Sequence, residues 1–333
     1  MTQPSHNRST RRAVVLLQLG GPDSPDAVRP FLYNLFCDPD IIDLPGAFLF
    51  RKPLAALISR FRAPKVRELY QALGGASPIL DQTRQQAESL FGFLSESGAE
   101  MHVEIAMRYW NPTTETAHAK LAALGIDEVV LLPLYPQYSK ATTGSSIRKW
   151  NDVNSRSGRP PLHTKVIEHY YEHPLYIKAL VERINEAIKR VPSDERSQVH
   201  IVFSAHGTPL KLVRQGDPYS HQIRRTYELV VQHGNFGLPH HLCFQSKVGP
   251  QRWLEPSLVS TIDSLNAGKV THLIVVPVAF VSDHLETLSE IAIEARHQAM
   301  TGGVKYFDVT APLLTNRSFI QCLGTLVLEK LQS

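Results

Sequence analysis

Short apolar runs alternate with longer amphipathic stretches along this whole chain of 333 residues, and this alternation constrains its fold more than any other feature. Leu273 to Val278 is a typical run: it is rich in β-branched residues, which predicts a strand buried on both faces of a parallel sheet. Residues with helical spacing follow each such run. Repeated strand–helix units fold into parallel sheets with helices packed on both faces.

The pattern predicts two Rossmann-like lobes, each a parallel sheet flanked by helices, which face each other across a cleft. The segment Asn151–Pro161 is rich in Ser, Arg, Gly and Pro and is typical of a linker, so we divide the chain into lobes at residues 10–160 and 161–333. The predicted strands are Ala13–Gln18, His102–Met107, Glu128–Pro133, Thr164–Ile167, His200–Ala205, His240–Gln245, His272–Pro277 and Lys305–Val309, with Thr164–Ile167 opening the second lobe.

Composition excludes several classes of protein. Hydrophobic residues at 43% and charged residues at 20% are typical of a globular protein with a sizeable core. The net charge of +4 is mild, and both signs are mixed throughout, which argues against nucleic acid as a partner. Three widely spaced cysteines, Cys37, Cys243 and Cys322, form no CxxC pair. They support neither a disulfide framework nor a thiolate metal site, and a reducing cytosol fits best.

The start of the chain resembles an export signal only in part. Arg8, Arg11 and Arg12 precede the apolar run Ala13–Leu17, but that run is too short for a signal peptide, and no small-residue cleavage site follows. No stretch approaches the roughly 20 apolar residues that span a bilayer. We therefore expect a cytoplasmic protein, either soluble or attached peripherally to the inner face of the membrane.

An acidic helix is predicted directly after the strand that ends near Val278. Asp283, Glu286, Glu290 and Glu294 follow one another at steps of three, four and four residues, so their carboxylates share one helix face. A solvated face is the simpler interpretation, and it stays open for Glu294 and His297. Because the stripe starts at the carboxyl end of a strand, where open α/β sheets bind ligands, we favour cation binding.

A second strand ends on a histidine. The run His200–Ala205 stops at His206-Gly207-Thr208-Pro209, where Gly and Pro break the strand. A neutral imidazole can accept a proton or bind a metal at physiological pH. Two strand ends in the same half of the chain therefore offer an imidazole and a set of carboxylates.

Several motifs resemble those of the ferrochelatases, the enzymes that insert ferrous iron into a porphyrin. The resemblance covers nearly the whole chain, and the order of the motifs makes it specific. The matching stretches are Gln18–Pro22, Tyr70–Ile79, Met107–Tyr109, Tyr135–Ser139, Thr142–Ser146, Phe203–Pro209, Gln245–Pro250 with Trp253-Leu254, and Ser282–Leu288.

The resemblance implies a function and a set of site residues. Iron would enter protoporphyrin IX or coproporphyrin III with release of two pyrrole protons. Fe²⁺ would be a substrate, no cofactor would be required, and no iron–sulfur cluster is expected because the chain stops at Ser333 without a cysteine-rich extension. The implied catalytic residues are His206 and Glu286, which with Glu290 and Glu294 are also the expected metal ligands; Asp283 and His284 orient the pair, and the porphyrin residues are Leu19, Arg108, Tyr109, Tyr135, Tyr138 and Trp253.

Two departures from the usual family pattern affect the pocket alone. Leu19 stands where many members carry Met, and Ser289 where many carry an aromatic residue. Two other functions stay open: a chelatase that inserts cobalt or another metal into a different tetrapyrrole, and a two-lobed protein that binds metal or haem without chemistry. The stretch Thr142–Ser146 suits an anion site or a well-capped loop equally, and the chain is expected to be a monomer or a homodimer.

The segment Pro45–Pro64 combines large apolar side chains with cations. A core helix would not carry so many cations, and a solvated loop would not carry so many apolar groups, so we expect a lip at the pocket mouth that touches an anionic membrane. An ordinary helix with snorkelling basic side chains is the alternative. The residues concerned are Phe48, Leu49, Phe50, Leu54, Leu57, Ile58 and Phe61, with Arg51, Lys52, Arg60 and Arg62.

Overall fold

The computed structural model describes residues 10–41, 47–247 and 251–332, and residues 47–49 by their backbone alone. Pro45, the side chains of Phe48 and Leu49, and the stretch Val248–Pro250 of the family motif therefore lie outside the described residues. The described chain forms two parallel sheets of four strands each, flanked by helices, which confirms the predicted fold class.

The first sheet and its helices come from the first half of the chain. Its strands are β1 (Arg12–Gln18), β2 (His102–Met107), β3 (Glu128–Pro133) and β4 (His163–Val166); its helices are α1 (Val28–Phe36), α2 (Ala47–Ala72), α3 (Ile79–Glu96), α4 (Thr114–Ala123) and α5 (Ser145–Arg156). A short π-helical turn at Lys140–Gly144 leads into α5. The side chains of β1 from Ala13 to Gln18 are all buried, as expected for a strand with helices on both faces.

The second sheet repeats this plan. Its strands are β5 (Val199–His206), β6 (His240–Gln245), β7 (His272–Pro277) and β8 (Tyr306–Val309); its helices are α6 (Pro174–Arg190), α7 (Leu210–Arg214), α8 (Tyr219–Gly234), α9 (Leu258–Ala267), α10 (Arg296–Thr301) and α11 (Arg317–Gln332). A 3₁₀ turn at Arg196–Gln198 precedes β5. Residues Glu286–Ala295 form a π-helix that runs directly into α10.

Both sheets have the same strand order, and this order fixes where ligands can bind. The orders are β2-β1-β3-β4 and β6-β5-β7-β8, so the direction of winding reverses between β1 and β3 and again between β5 and β7. Open parallel sheets bind ligands in the crevice outside the carboxyl ends of the strands at such a switch point. The ends of β5 and β7 are the places where the sequence predicts the imidazole and the carboxylates.

Two predictions about the middle of the chain are wrong. The strand predicted to open the second lobe pairs with β3 in the first sheet, with Val130 opposite Lys165. The predicted linker Asn151–Pro161 is helical as far as Arg156, where α5 ends. Buried contacts explain both errors, because Trp150 is fully buried and the Asn154 side chain bonds both the N–H and the carbonyl of Leu162.

One hydrophobic core runs through both lobes. It joins Leu16 and Leu132 of the first sheet to Phe203 and Val276 of the second and to Leu323 of α11. The last helix packs against α3 as well as α6, so it belongs to both lobes.

Helix α2 has one buried face and one exposed apolar face. Ala55, Ser59 and Ala63 are buried against α1, whereas Phe50, Leu57 and Phe61 are 67%, 53% and 74% exposed. No helix in the described part of the chain is both long and apolar enough to cross a bilayer.

Candidate active site

The structure brings the two predicted catalytic side chains together. His206 is the last residue of β5, and Glu286 is the first residue of the π-helix that follows β7. Nδ1 of His206 lies 2.8 Å from Oε2 of Glu286. Because neighbouring parallel strands end at the same sheet edge, residues 80 positions apart in sequence meet there.

The pair is electrostatically coupled. Burial raises the pKa of Glu286, but the charge and hydrogen bond of His206 outweigh it and hold that pKa well below the ordinary value. Burial lowers the pKa of His206, but the charge and hydrogen bond of Glu286 again prevail, and that pKa is raised. Each group therefore stabilises the charged form of the other.

The predicted orienting residues surround this pair. Nε2 of His284 lies 3.5 Å from Oε2 of Glu286, and its ring packs on Phe280 with the ring centres 4.3 Å apart. The Asp283 carboxylate accepts hydrogen bonds from Gln82 in α3 and from Thr287. The loop that carries His284 is thus tied to the first lobe and to the π-helix.

The acidic stripe runs from the half-buried pair towards solvent. Ser246 donates a hydrogen bond of 2.6 Å to Oε2 of Glu290. Burial, together with the charge of Glu286, raises the pKa of Glu290 despite that bond. Glu294 is exposed and accepts a 3.3 Å bond from Ser289. π-Helical turns are rare and often mark functional sites.

The four predicted metal ligands do not converge on one point. Among the described residues, no three His, Cys, Asp or Glu side chains are grouped so that they could hold a metal ion together. The stripe is a series of separate carboxylates, and His297 at its far end is exposed.

Three of the predicted porphyrin residues lie at the carboxyl ends of β1 and β2. Leu19 packs in the same apolar cluster as Leu285, the residue before Glu286. Tyr109 is 2% exposed, so its ring is a core residue, and its hydroxyl donates to Oδ2 of Asp38. Arg108 donates to the same Asp38 oxygen at 2.7 Å and to Ser145, so its guanidinium is fixed by partners within the first lobe.

Of the other three, Tyr135 and Tyr138 follow the end of β3, and Trp253 lies beside Gly207. The Tyr135 hydroxyl is buried and has no hydrogen-bond partner among the described residues. The Tyr138 hydroxyl lies 2.9 Å from the point where a Cβ on Gly144 would stand. The Trp253 ring comes within 3.3 Å of the same point on Gly207, next to His206. A Cβ on Gly144 would crowd the Tyr138 hydroxyl, and a Cβ on Gly207 would press on the Gln245 carbonyl oxygen and the Trp253 ring.

Two tyrosines near Glu286 were not predicted as site residues, although Tyr70 opens one of the stretches that resemble the family. Tyr219, at the start of α8, has a buried hydroxyl beside the backbone of His206, and burial with the charge of Glu286 raises its pKa. Tyr70, at the end of α2, is also buried, and burial is the main reason that its pKa is raised. A tyrosine near a helix end carries no sequence signal of what it faces.

The two switch points meet across the lobes. Gln18, at the end of β1, donates through Nε2 to the Ser282 hydroxyl at 3.4 Å, four residues before Glu286. A two-lobed α/β protein with an imidazole–carboxylate pair where its switch points meet has the architecture of the metal chelatases.

Comparison with solved structures shows the same two-lobed fold. SirB from Bacillus subtilis with Fe³⁺ superposes with a TM-score of 0.57 at 13% identity and covers 96% of each chain. DR2241 from Deinococcus radiodurans, described as a multi-domain protein with structural similarity to chelatases, gives 0.55 at 12% identity over 97% of this chain and 56% of its own. At these identities the likeness establishes the fold.

Sequence comparison makes the assignment specific. The ferrochelatase family model matches residues 11–331. Ferrochelatases from Gloeobacter violaceus, Aquifex aeolicus and Geotalea uraniireducens are 46%, 43% and 44% identical over 96%, 95% and 97% of this chain and over 97%, 98% and 99% of their own. The chain belongs to the ferrochelatase family. It is a lyase that inserts iron into a porphyrin in haem synthesis.

Proposed function

We propose that His206 is the base that removes pyrrole protons and that Glu286 stabilises the imidazolium. The 2.8 Å bond between the two side chains carries this proposal. Since Nδ1 of His206 faces Glu286, Nε2 is the nitrogen left to accept a proton from the porphyrin. A carboxylate on the far nitrogen fixes the ring and favours its charged form, as in other imidazole bases.

Two protons must leave for each ferrous ion that enters, so the base has to be discharged between them. Glu290 suits that role because its pKa is raised, which makes it a better proton acceptor than an ordinary carboxylate. The exposed Glu294 would then pass protons to solvent or gather Fe²⁺ from it. The reaction so described exchanges two protons for one divalent ion, and it requires no cofactor and no iron–sulfur cluster.

We place the porphyrin against the carboxyl ends of both sheets. Trp253 offers an aromatic face next to His206, Tyr135 and Tyr138 offer aromatic faces after the end of β3, and Leu19 supports the apolar floor. Arg108, with its guanidinium over the Tyr109 ring at 4.8 Å, offers positive charge for the acidic edge of the macrocycle.

One assay tests this function and chooses the substrate. The purified protein is given ferrous iron without oxygen and either protoporphyrin IX or coproporphyrin III, and the change in porphyrin absorbance is followed. We expect turnover with one or both, and none with His206→Ala. Turnover only with cobalt and another tetrapyrrole would support a chelatase of different specificity. Binding of metal or porphyrin without turnover would support a two-lobed binding protein.

The exposed face of α2 supports a membrane contact. Phe50, Leu57 and Phe61 stand seven and four residues apart on one side of the helix, and Lys52 and Arg60 are exposed on the same segment. An amphipathic helix of this kind binds an anionic bilayer surface. The chain would then be a cytoplasmic protein that is attached peripherally to the membrane.

Vesicle co-sedimentation tests the contact. We expect binding that strengthens with anionic lipid, weakens with salt, and falls when Phe50, Leu57 and Phe61 are changed to Ser. The matched control changes two exposed apolar residues outside α2 to Ser: Phe91 in α3 and Leu124 at the end of α4. Equal loss in the control, or no binding at low salt, would exclude α2 as the contact. Sedimentation velocity of the protein without vesicles separates monomer from homodimer.

A further inference from the structure

A group of buried polar side chains joins the segment after β3 to helix α8 of the other lobe. We call this group the lobe clamp; its members are Gln137, Ser139, Asp217, Gln222 and Thr226. All five are at most 5% exposed. Burying polar groups is costly unless each finds a partner, so their arrangement calls for an explanation.

Asp217 is the centre of the clamp. Its Oδ2 accepts hydrogen bonds from the Ser139 hydroxyl at 3.0 Å and from the Lys140 backbone N–H at 2.8 Å, both in the first lobe. Its Oδ1 accepts from the Tyr219 backbone N–H at 3.0 Å. One carboxylate therefore holds the loop of one lobe and the first residue of α8 in the other.

Two further contacts repeat the connection. Oε1 of Gln222 accepts from the backbone N–H of Tyr138 at 2.7 Å. Gln137 donates to the Thr226 hydroxyl at 3.1 Å, and Thr226 donates in turn to the Tyr171 carbonyl. Three successive loop residues, from Gln137 to Ser139, are thus fixed to α8 one after another.

The clamp lies between the two parts of the proposed site. Its loop carries Tyr135 and Tyr138, and its helix begins with Tyr219, whose hydroxyl lies beside His206. Apolar side chains could join the lobes as firmly, but they would not fix the loop backbone at defined hydrogen-bond distances. Hydrogen bonds to a carboxylate supply that geometry.

We propose that Asp217 is a positioning residue for porphyrin metallation, which sets the distance between the porphyrin-facing loop and the His206–Glu286 pair. This inference rests on the proposed function. Asp217 does not touch the reacting atoms; it acts through Tyr138 and the segment around it.

Asp217→Asn tests the proposal because it keeps the shape of the side chain. An amide has one acceptor oxygen, so it cannot accept from both the loop and Tyr219, and its NH₂ group would face the Lys140 N–H. We expect the dissociation constant of metal-free porphyrin, measured by fluorescence, to rise about tenfold, the size of one lost charge-assisted hydrogen bond. The dependence of the rate on iron should not change. Ser139→Ala, a milder change, should give a smaller shift in the same direction.

A double-mutant cycle with Tyr138→Ala shows whether Asp217 acts through the loop. If it does, the two substitutions are less than additive in porphyrin binding. The control is Glu128→Gln at the opposite end of β3, a buried carboxylate that holds Arg12 and Lys165. This control should lower the melting temperature and leave porphyrin affinity unchanged.

The outcomes separate the two proposals. A loss of melting temperature in Asp217→Asn without a change in porphyrin affinity makes Asp217 merely structural and overturns the inference, as does strict additivity with Tyr138→Ala. Wild-type protein that binds no porphyrin overturns the proposed function itself, and the inference falls with it. Wild-type turnover that His206→Ala abolishes, together with a porphyrin dissociation constant that Asp217→Asn leaves unchanged, overturns the inference alone.

Discussion

His206 and Glu286 are 80 residues apart in sequence, yet their side chains lie 2.8 Å apart because β5 and β7 are neighbours and end at the same edge of the sheet. This contact ties the proposed base to its proposed stabilising carboxylate. The site is therefore organised before the porphyrin arrives.

Substituting either member of the pair should stop metal insertion and spare porphyrin binding. For His206→Ala and Glu286→Gln we expect kcat to fall by about 10² to 10⁴, the usual contribution of general acid–base catalysis. Steady-state kinetics and porphyrin fluorescence measure the two quantities separately. His163→Ala, at an exposed histidine of β4, is the control. A variant of the pair that retains near-normal turnover at saturating iron would lose its catalytic assignment.

The pH dependence of kcat/KM should report the raised pKa of His206. The base acts when it is neutral, so kcat/KM should rise with pH along a limb that lies above the ordinary imidazole value of about 6.5. Glu286→Gln removes the charge that raises this pKa and leaves burial, which lowers it. The residual activity of that variant should therefore rise along a limb at lower pH. A limb at the same pH in both proteins would mean that another group titrates.

The same pair predicts how stability depends on pH. Because the folded pKa of Glu286 is lowered, its contribution is present above the ordinary Glu value of about 4.3 and is lost as pH falls through the folded pKa. Because the folded pKa of His206 is raised, its contribution is complete below about 6.5 and is lost as pH rises through the folded pKa. The melting-temperature difference between wild type and Glu286→Gln should peak between these two values. A difference that grows steadily towards pH 9 would contradict this assignment.

Losing Glu290 or Glu294 should raise the iron requirement more than it lowers the limiting rate, because the remaining carboxylates of the stripe can still hold the ion and take protons from the pair. Glu290 is partly buried and bonded to Ser246, whereas Glu294 is exposed, so Glu290→Gln should raise the iron concentration needed for half-maximal rate more than Glu294→Gln does. The double variant should raise it further with a smaller loss of limiting rate. An unchanged iron dependence in the double variant would return the stripe to the status of a solvated helix face.

Gly207 should tolerate no side chain. A Cβ there would stand 2.7 Å from the carbonyl oxygen of Gln245 and 3.3 Å from the Trp253 ring. Gly207→Ala should cost about 1–3 kcal/mol of unfolding free energy, the range for overpacking, and should weaken porphyrin binding by moving the Trp253 ring. Gly92→Ala in α3, where a Cβ meets nothing within 4 Å, is the control and should stabilise the protein. Thermal melts with porphyrin titrations of both variants decide the matter.

Sequence patterns predict the individual strands well because each strand carries its own signal. Seven of the eight predicted strands, such as His102–Met107, fall in the sheet and half of the chain where they were expected. The error at β4 has a physical cause: which sheet accepts an edge strand depends on a neighbour distant in sequence, and local composition does not encode it. The linker prediction failed for a related reason. A polar residue in this segment was taken as a sign of a solvated linker, but Asn154 is buried and hydrogen-bonds the backbone of Leu162.

For the site, the motifs identify residues but not their surroundings. His206 and Glu286 lie together as expected. Tyr109, expected at the pocket, is a core residue, and its bond to Asp38 depends on a loop far away in sequence. Asp217 joins the two lobes, and Tyr219 faces His206; no periodicity in the sequence reveals such contacts.

Helix α11 has a consequence for how the protein is made. Its residues leave the ribosome after those of both sheets, yet Gly324 receives the ring of Phe93, and Leu323 belongs to the same core as Leu90. During synthesis the apolar side of α3 therefore stays uncovered until both sheets and α11 have emerged. Nascent chains in this state are the kind that chaperones hold and that aggregate when chaperones are scarce. A fragment that stops before α11 would stay in that vulnerable condition permanently.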